Sequence, residues 1–209
     1  MPGYQPSEGV WDFDADRYQR QVLQRIIERS DEMGRDITLE AFSNSPPYWM
    51  TRSGCASGAS SAGNNLPEQN YAAFADYLTE VVKHYRDNYN IVFNTLNPLN
   101  EPNSSWWTEG NTQEGCTFWS ETQSKLLEVV GASLDEKGLL DTTLSAPDEN
   151  SIDTTIESVG MYSNSALAYL SQINTHSYSG SKRANLRELA KSLNKKLWQS
   201  ESGPLSWPG

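Results

Sequence analysis

The chain has 209 residues, 36% of them hydrophobic, a formal charge of −11 and a mean hydropathy of −0.66. That length is one domain or part of a larger one, and the negative charge argues against nucleic acid, whose phosphates need a basic footprint, and against anionic membrane surfaces. No apolar run approaches the length of a membrane span, and no secretory leader is visible after Met1, where a Pro/Gly/Tyr stretch gives way to acidic residues; the start is therefore expected to be internal to a longer protein.

Residues 1–15 read as irregular, anchored by Trp11 and Phe13. A helical pattern begins at Asp16, with Tyr18, Val22, Ile26 and Ile27 on one stripe, and Gly34 marks its stop. Residues 37–42 read as a strand leading into Ser43-Asn44-Ser45-Pro46-Pro47-Tyr48-Trp49, which no helix or strand can contain. Glu40, in mid-strand, is expected to face inward as a polar group. Residues 51–65 are rich in Gly, Ser and Ala, and a connection of that length is either functional or mobile. Leu66-Pro67-Glu68 opens a second helix, with proline where a first turn tolerates it, and Tyr71, Phe74, Leu78, Val81, Val82 and Tyr85 form its apolar face.

A strand over 91–96 follows and runs into Thr95-Leu96-Asn97-Pro98-Leu99-Asn100-Glu101-Pro102-Asn103, the stretch around which the rest is organised. Proline cannot donate to a sheet ladder and holds its predecessor extended, so Glu101 is expected on a turn at a strand end. The residue-level alternative is an ordinary solvated loop glutamate. The next loop, 104–115, carries Trp106 and Trp107, expected as walls of a binding groove. A third helix over 118–134 should point Trp119, Leu126, Leu127 and Val130 inward, with Gly138 closing the segment. Residues 142–146 read as a strand ending at Pro147-Asp148-Glu149, whose acids suit either a distal ligand site or a helix N-cap. Residues 152–170 give one or two short helices, 172–178 a strand holding His176 and Tyr178, and Leu186, Leu189, Ala190 and Leu193 another helix. A last strand, 196–200, leads to Glu201 and then Ser202-Gly203-Pro204.

Strand and helix thus alternate, and five strands in such order imply a parallel sheet. Each strand ends in polar or aromatic residues with a Pro or Gly nearby, as on the active face of a (β/α)8 TIM barrel. A doubly wound open sheet competes, but no G-x-G-x-x-G or Walker pattern is present. Seven Trp and ten Tyr suggest a groove for sugars or stacked bases. Cys55 and Cys116 have no His or Cys at metal-ligand spacing and form either one bridge or two free thiols. Asn103-Ser104-Ser105 is a glycosylation sequon. Glu101 and Glu201, at two strand ends, can face each other across a barrel mouth, and two carboxylates flanking a glycosidic bond are the minimum apparatus for its hydrolysis.

The segments Ala41-Phe42-Ser43-Asn44-Ser45-Pro46-Pro47-Tyr48-Trp49-Met50, Asn97 to Asn103, Asn174-Thr175-His176-Ser177-Tyr178 and Leu197-Trp198-Gln199-Ser200-Glu201 together resemble glycoside hydrolase family 30, most closely its endo-β-1,6-galactanase-like branch. The resemblance covers nearly the whole chain. It implies residues 1–209 as a partial catalytic domain: strands resembling the third to seventh of a (β/α)8 barrel, with the first, second and eighth and the β-sandwich side domain missing. It implies Glu101 as general acid/base, Glu201 as nucleophile, Asn100 as the amide on the sugar 2-hydroxyl, and Tyr178 as the group holding the nucleophile. Trp49, Asn44 and the Ser45-Pro46-Pro47 turn would shape the sugar site. His176 is either a core histidine or a site-lining hydrogen-bonder, and Trp106 a subsite wall. The implied activity is retaining hydrolysis of β-1,6-galactan side chains of arabinogalactan, without metal or cofactor; another β-glycan (β-1,6-glucan, xylan, a glucosyl lipid) is the alternative within the class. Outside it stand a truncated inactive fragment and a carbohydrate-binding relative. The partner implied is a polysaccharide, with no nucleic acid or membrane, for a secreted protein that is monomeric when full length.

Overall fold

The computed structural model describes residues 3–61 and 63–203; Met1, Pro2, Ala62 and residues 204–209, with the expected Pro204, lie outside them. In chain order the elements are α1 (Arg17–Glu32), β1 (Glu40–Phe42), α2 (Tyr71–Tyr89), β2 (Thr95–Asn97), α3 (Ser120–Glu136), β3 (Thr143–Ser151), α4 (Ile152–Gly160), α5 (Asn164–Tyr169), β4 (Leu170–Ser179), α6 (Arg183–Ser192) and β5 (Lys196–Glu201). The strands lie side by side in sequence order, and every neighbouring pair is parallel. This is five strands of a (β/α)8 barrel with their helices, a half-barrel.

The helices cover one face of the sheet. Leu126, Leu127 and Val130 of α3 are fully buried, with Phe74 and Val82 of α2, against Leu96, Leu144 and Ile173 of the strands. Burying each such side chain contributes roughly 1.5–3 kcal/mol. Gly131 of α3 admits the Tyr169 ring, since a Cβ there would lie 2.2 Å from it. The short helices are capped by serines: Ser151 accepts from Asp153 N at the start of α4, and Ser163 from Ala166 N at the start of α5. So the N-cap is Ser151, not Asp148 or Glu149.

The other face, the barrel interior, is polar. Glu40 Oε2 accepts from Thr95, Ser145 and Gln172, and Oε1 from Asn174 Nδ2 at 2.8 Å. These partners come from β2, β3 and β4, so the expected inward glutamate is a hub across four strands.

Several expectations need correction. The apolar stripe of α1 is covered on one flank alone: Leu23 and Ile27 reach the core, while Tyr18, Val22 and Ile26 are exposed. Its helix lies beside β1, which is an edge strand with no partner beyond it among the described residues. The first two strands are shorter than expected because Asn94 replaces part of the ladder, its Oδ1 accepting from Leu39 N and its N–H donating to Leu39 O, each at 2.8 Å. The third runs past Pro147 because register shifts between Pro147 and Glu149 accommodate it. Trp119 is 41% exposed rather than inward. Trp107 is wholly buried rather than a groove wall: its Nε1 donates to Glu101 O, and Gly115 leaves room for its ring.

Candidate active site

The carboxyl ends of β2, β3, β4 and β5 meet at one rim. Past β2 the chain is fixed turn by turn. Leu99 N donates to Asn97 Oδ1, Glu101 N to Asp148 O, and Glu101 O accepts from Ser104 N and Trp107 Nε1. Glu101 has φ 45°, a backbone region that costs a non-glycine residue of order 1–3 kcal/mol and concentrates at functional sites. Its side chain is 9% exposed, so the solvated-loop reading fails.

Glu101 Oε1 accepts from Asn150 Nδ2 at 2.8 Å and from His176 Nδ1 at 2.9 Å. His176, on β4, pairs in register with Glu201, the last residue of β5. Its Nε2 lies 3.7 Å from Glu201 Oε2 and 3.3 Å from Asp148 Oδ1. Neither approach has hydrogen-bond geometry, leaving Nε2 buried without a partner, so attraction on that side is charge–charge. Tyr178, two residues on, donates to Glu201 Oε1 at 2.7 Å and meets the imidazole edge-on. An oxygen of each glutamate and an imidazole nitrogen all lie within 4.8 Å of one another. Among the described residues these three side chains alone cluster closely enough to share a cation, but hydrolysis by a carboxylate pair requires none.

Protonation follows from these contacts. Burial alone would raise the Glu101 carboxyl; the His176 and Asn150 hydrogen bonds, the imidazolium charge and a smaller pull from Trp106 outweigh it and hold the group below its ordinary value. Burial alone would lower His176; Asp148, Glu101 and Glu201 together outweigh it and lift the imidazole to about 9. These contacts favour the proton on His176 over Glu101.

Asn100 is buried, and its Oδ1 has no partner. Trp106 is 45% exposed beside this cluster and stands edge-on to Trp107. The remaining expected residues make their contacts elsewhere. Trp49 packs against the core and donates Nε1 to Gln5 O at 2.9 Å. Asn44 is exposed and lines a cavity of about 420 Å³ with Glu40, Phe42 and Tyr48. Glu149 is not a ligand-facing acid: it is 1% exposed and accepts from Asn103, Gln123 and Ser158. Asp148, which the sequence offered as a distal ligand residue or a helix N-cap, instead stands at the rim facing His176; its position at a strand end beside Pro147 was the available signal.

A parallel half-barrel with two carboxylates and a histidine at the carboxyl rim of its strands brings together groups that can flank a glycosidic bond. The family model of O-glycosyl hydrolase family 30 matches residues 4–175. The chain is 35% identical over 200 residues to an endo-beta-1,6-galactanase of Hypocrea rufa, covering 95% of this chain and 40% of that relative. Two solved structures share the fold. A conserved exported protein from Bacteroides fragilis superposes with TM-score 0.78 at 23% identity, over 99% of this chain and 47% of that one. A glycoside hydrolase family 30 subfamily 8 xylanase from Clostridium acetobutylicum gives 0.68 at 24% identity, over 90% and 43%. The chain belongs to O-glycosyl hydrolase family 30. It spans less than half the length of each of these proteins. No helix of the described residues is long and apolar enough to cross a membrane.

Proposed function

We propose that residues 1–209 are part of the catalytic domain of a secreted, monomeric, retaining endo-glycosidase acting on β-1,6-galactan, with Glu101 as acid/base and Glu201 as nucleophile. The observation that carries this reading is the approach of one oxygen from each carboxylate to within 4.8 Å, with His176 hydrogen-bonded to Glu101 and facing Glu201. Carboxyl groups about 5–5.5 Å apart suit double displacement, whereas inversion needs about 6.5–9.5 Å to admit a water. The linkage is supported by the likeness to the Hypocrea rufa enzyme.

In the first step Glu201, oriented by Tyr178, attacks the anomeric carbon, and Glu101 gives a proton to the leaving oxygen. In the second, Glu101 takes a proton from water, which attacks the same carbon and releases Glu201. Glu101 must be protonated to begin, and His176 Nδ1, 2.9 Å from its Oε1, is placed to supply that proton. A sugar that displaces water from the rim favours the neutral carboxyl and so draws that proton across. The unpartnered Asn100 amide oxygen lies beside Glu101 in sequence, where a sugar 2-hydroxyl would satisfy it. The exposed Trp106 ring offers an apolar platform for a sugar face, and Asn44 and Trp49 lie on the segment that would form the far wall.

The test uses the full-length protein on linear β-1,6-galactan. Glu101→Gln and Glu201→Gln should each lower kcat/KM by about 10²–10⁴-fold or more. Early product should keep the β-anomer by NMR and span several oligomer lengths. Undiminished turnover in either variant, or an α-anomer as first product, would remove the assignment.

A further inference from the structure

Asp148 is a buried carboxylate that this chemistry does not use, yet its side chain meets residues of β2, β4 and β5. It is 2% exposed. Its carbonyl accepts Glu101 N–H at 2.8 Å. Oδ2 accepts from Asn97 Nδ2 at 2.8 Å. Oδ1 accepts from Ser200 Oγ, immediately before Glu201, and faces His176 Nε2 at 3.3 Å. Asp148 has φ 61° and Glu101 φ 45°, so the hydrogen bond between them joins two residues held in a costly backbone region.

The groups facing His176 are Glu101 from the turn after β2, Asp148 from β3, Glu201 from β5 and the ring edge of Tyr178 from β4. A neutral imidazole carries one N–H and can serve one side. Carboxylates on both sides favour a proton on each nitrogen. Resting on the assignment of Glu101 and Glu201 above, we propose that Asp148 is a positioning residue: it orients His176 and keeps it doubly protonated, so that the proton Glu101 must deliver is stored one hydrogen bond away. Transfer breaks Nδ1–H and forms Oε1–H on Glu101. It leaves a neutral imidazole whose Nε2–H still faces Asp148, and the total charge is unchanged. Through Ser200 the same carboxylate anchors the end of β5, and so the residue next to the nucleophile.

His176 and Glu101 then titrate as a pair, and the basic limb of kcat/KM reports loss of their shared proton. The experiment follows the imidazole signals of the full-length protein by NMR, with His176 assigned through its loss in His176→Gln. In the wild type both ring nitrogens should be protonated at neutral pH. Asp148→Asn, which keeps shape and removes charge, should move the His176 midpoint and the basic limb down together by about one pH unit or more. His176→Gln should move the limb further. A neutral His176 in the wild type at pH 7 would overturn the proposal whether or not Asp148→Asn folds. So would an Asp148→Asn enzyme that loses kcat with both midpoints unmoved, the mark of a merely structural acid. The imidazole readout needs no substrate. If galactan proves not to be one, the Glu101→Gln assay fails while the His176 titration still decides the role of Asp148.

Discussion

Replacing Glu149 separates a ligand-facing acid from a structural one. Its Oε1 accepts from Asn103 Nδ2, Gln123 Nε2 and Ser158 Oγ, and its Oε2 from Asn103 N, all behind a surface that leaves the residue 1% exposed. Burial nonetheless holds its carboxyl above the ordinary value, the hydrogen bonds offsetting part of that cost. Glu149→Ala strands these donors in the interior, and an unsatisfied buried group costs about 1–3 kcal/mol. Four donors lose their acceptor, and because they relax and share others the net loss should be about 3–5 kcal/mol rather than the full sum. Glu149→Gln keeps the shape and one acceptor oxygen while removing a desolvated charge, and should cost about 1–2 kcal/mol. With a urea m-value of about 2 kcal/mol/M, the unfolding midpoint should fall by about 1.5–2.5 M for alanine and by about 0.5–1 M for glutamine. KM for galactan should stay at the wild-type value in whichever variant remains folded. An alanine variant with an unshifted midpoint and a raised KM would refute this reasoning and return Glu149 to the sugar site.

Four further outcomes follow. Because His176 is raised from 6.5 to about 9 on folding, it contributes stability that is complete below its unfolded value and lost as pH climbs through 9; at about 1.4 kcal/mol per pH unit this is ~3 kcal/mol. Urea midpoints between pH 6 and 10 should show that loss in the wild type and lack it in His176→Gln. Gly131→Ala would set a Cβ 2.2 Å from the Tyr169 ring, and the overpacking should cost about 1–3 kcal/mol, a drop of several degrees in Tm by calorimetry. The thiols are separate: the hydrogen bond with Ser57 lowers Cys55, which is partly exposed, while burial pushes Cys116 up to about 12. A thiol reagent should thus titrate Cys55 in the native protein and Cys116 only on unfolding. The Asn103 side chain already donates to Glu149, Ser158 and Ser120, so folded protein secreted from a glycosylating host should carry no glycan there by mass spectrometry.

Much of this was legible from local pattern. The prolines at 98 and 102 announced the turn that holds Glu101, and the apolar face of α2 is buried as its spacing indicates, with Phe74, Leu78, Val82 and Tyr85 inside. What escaped depends on partners distant in sequence. Trp106 and Trp107 are adjacent and alike, yet one is exposed and the other wholly buried, because the carbonyl of Glu101 and the bare backbone of Gly115 receive the second indole. Asp148 and Glu149 are likewise neighbours. The register shift between Pro147 and Glu149, with Asp148 at φ 61°, sends one toward His176 and Ser200 and the other toward α3 and α4, a division no composition reveals. The exposed flank of α1 has the same origin: helical spacing identifies an apolar stripe but not how much of it finds a surface to cover.

The acidic hub inside the half-barrel bears on alignment of the strands. Glu40 reaches one hydroxyl on β2, one on β3 and two amides on β4, all from inward positions. Sliding any one of these strands by one residue would turn its polar groups toward the helices and bring Leu96, Leu144 or Ile173 against a carboxylate. One side chain thus works as a key that accepts a single alignment, and the height of the rim, where the two glutamates meet, is set from below.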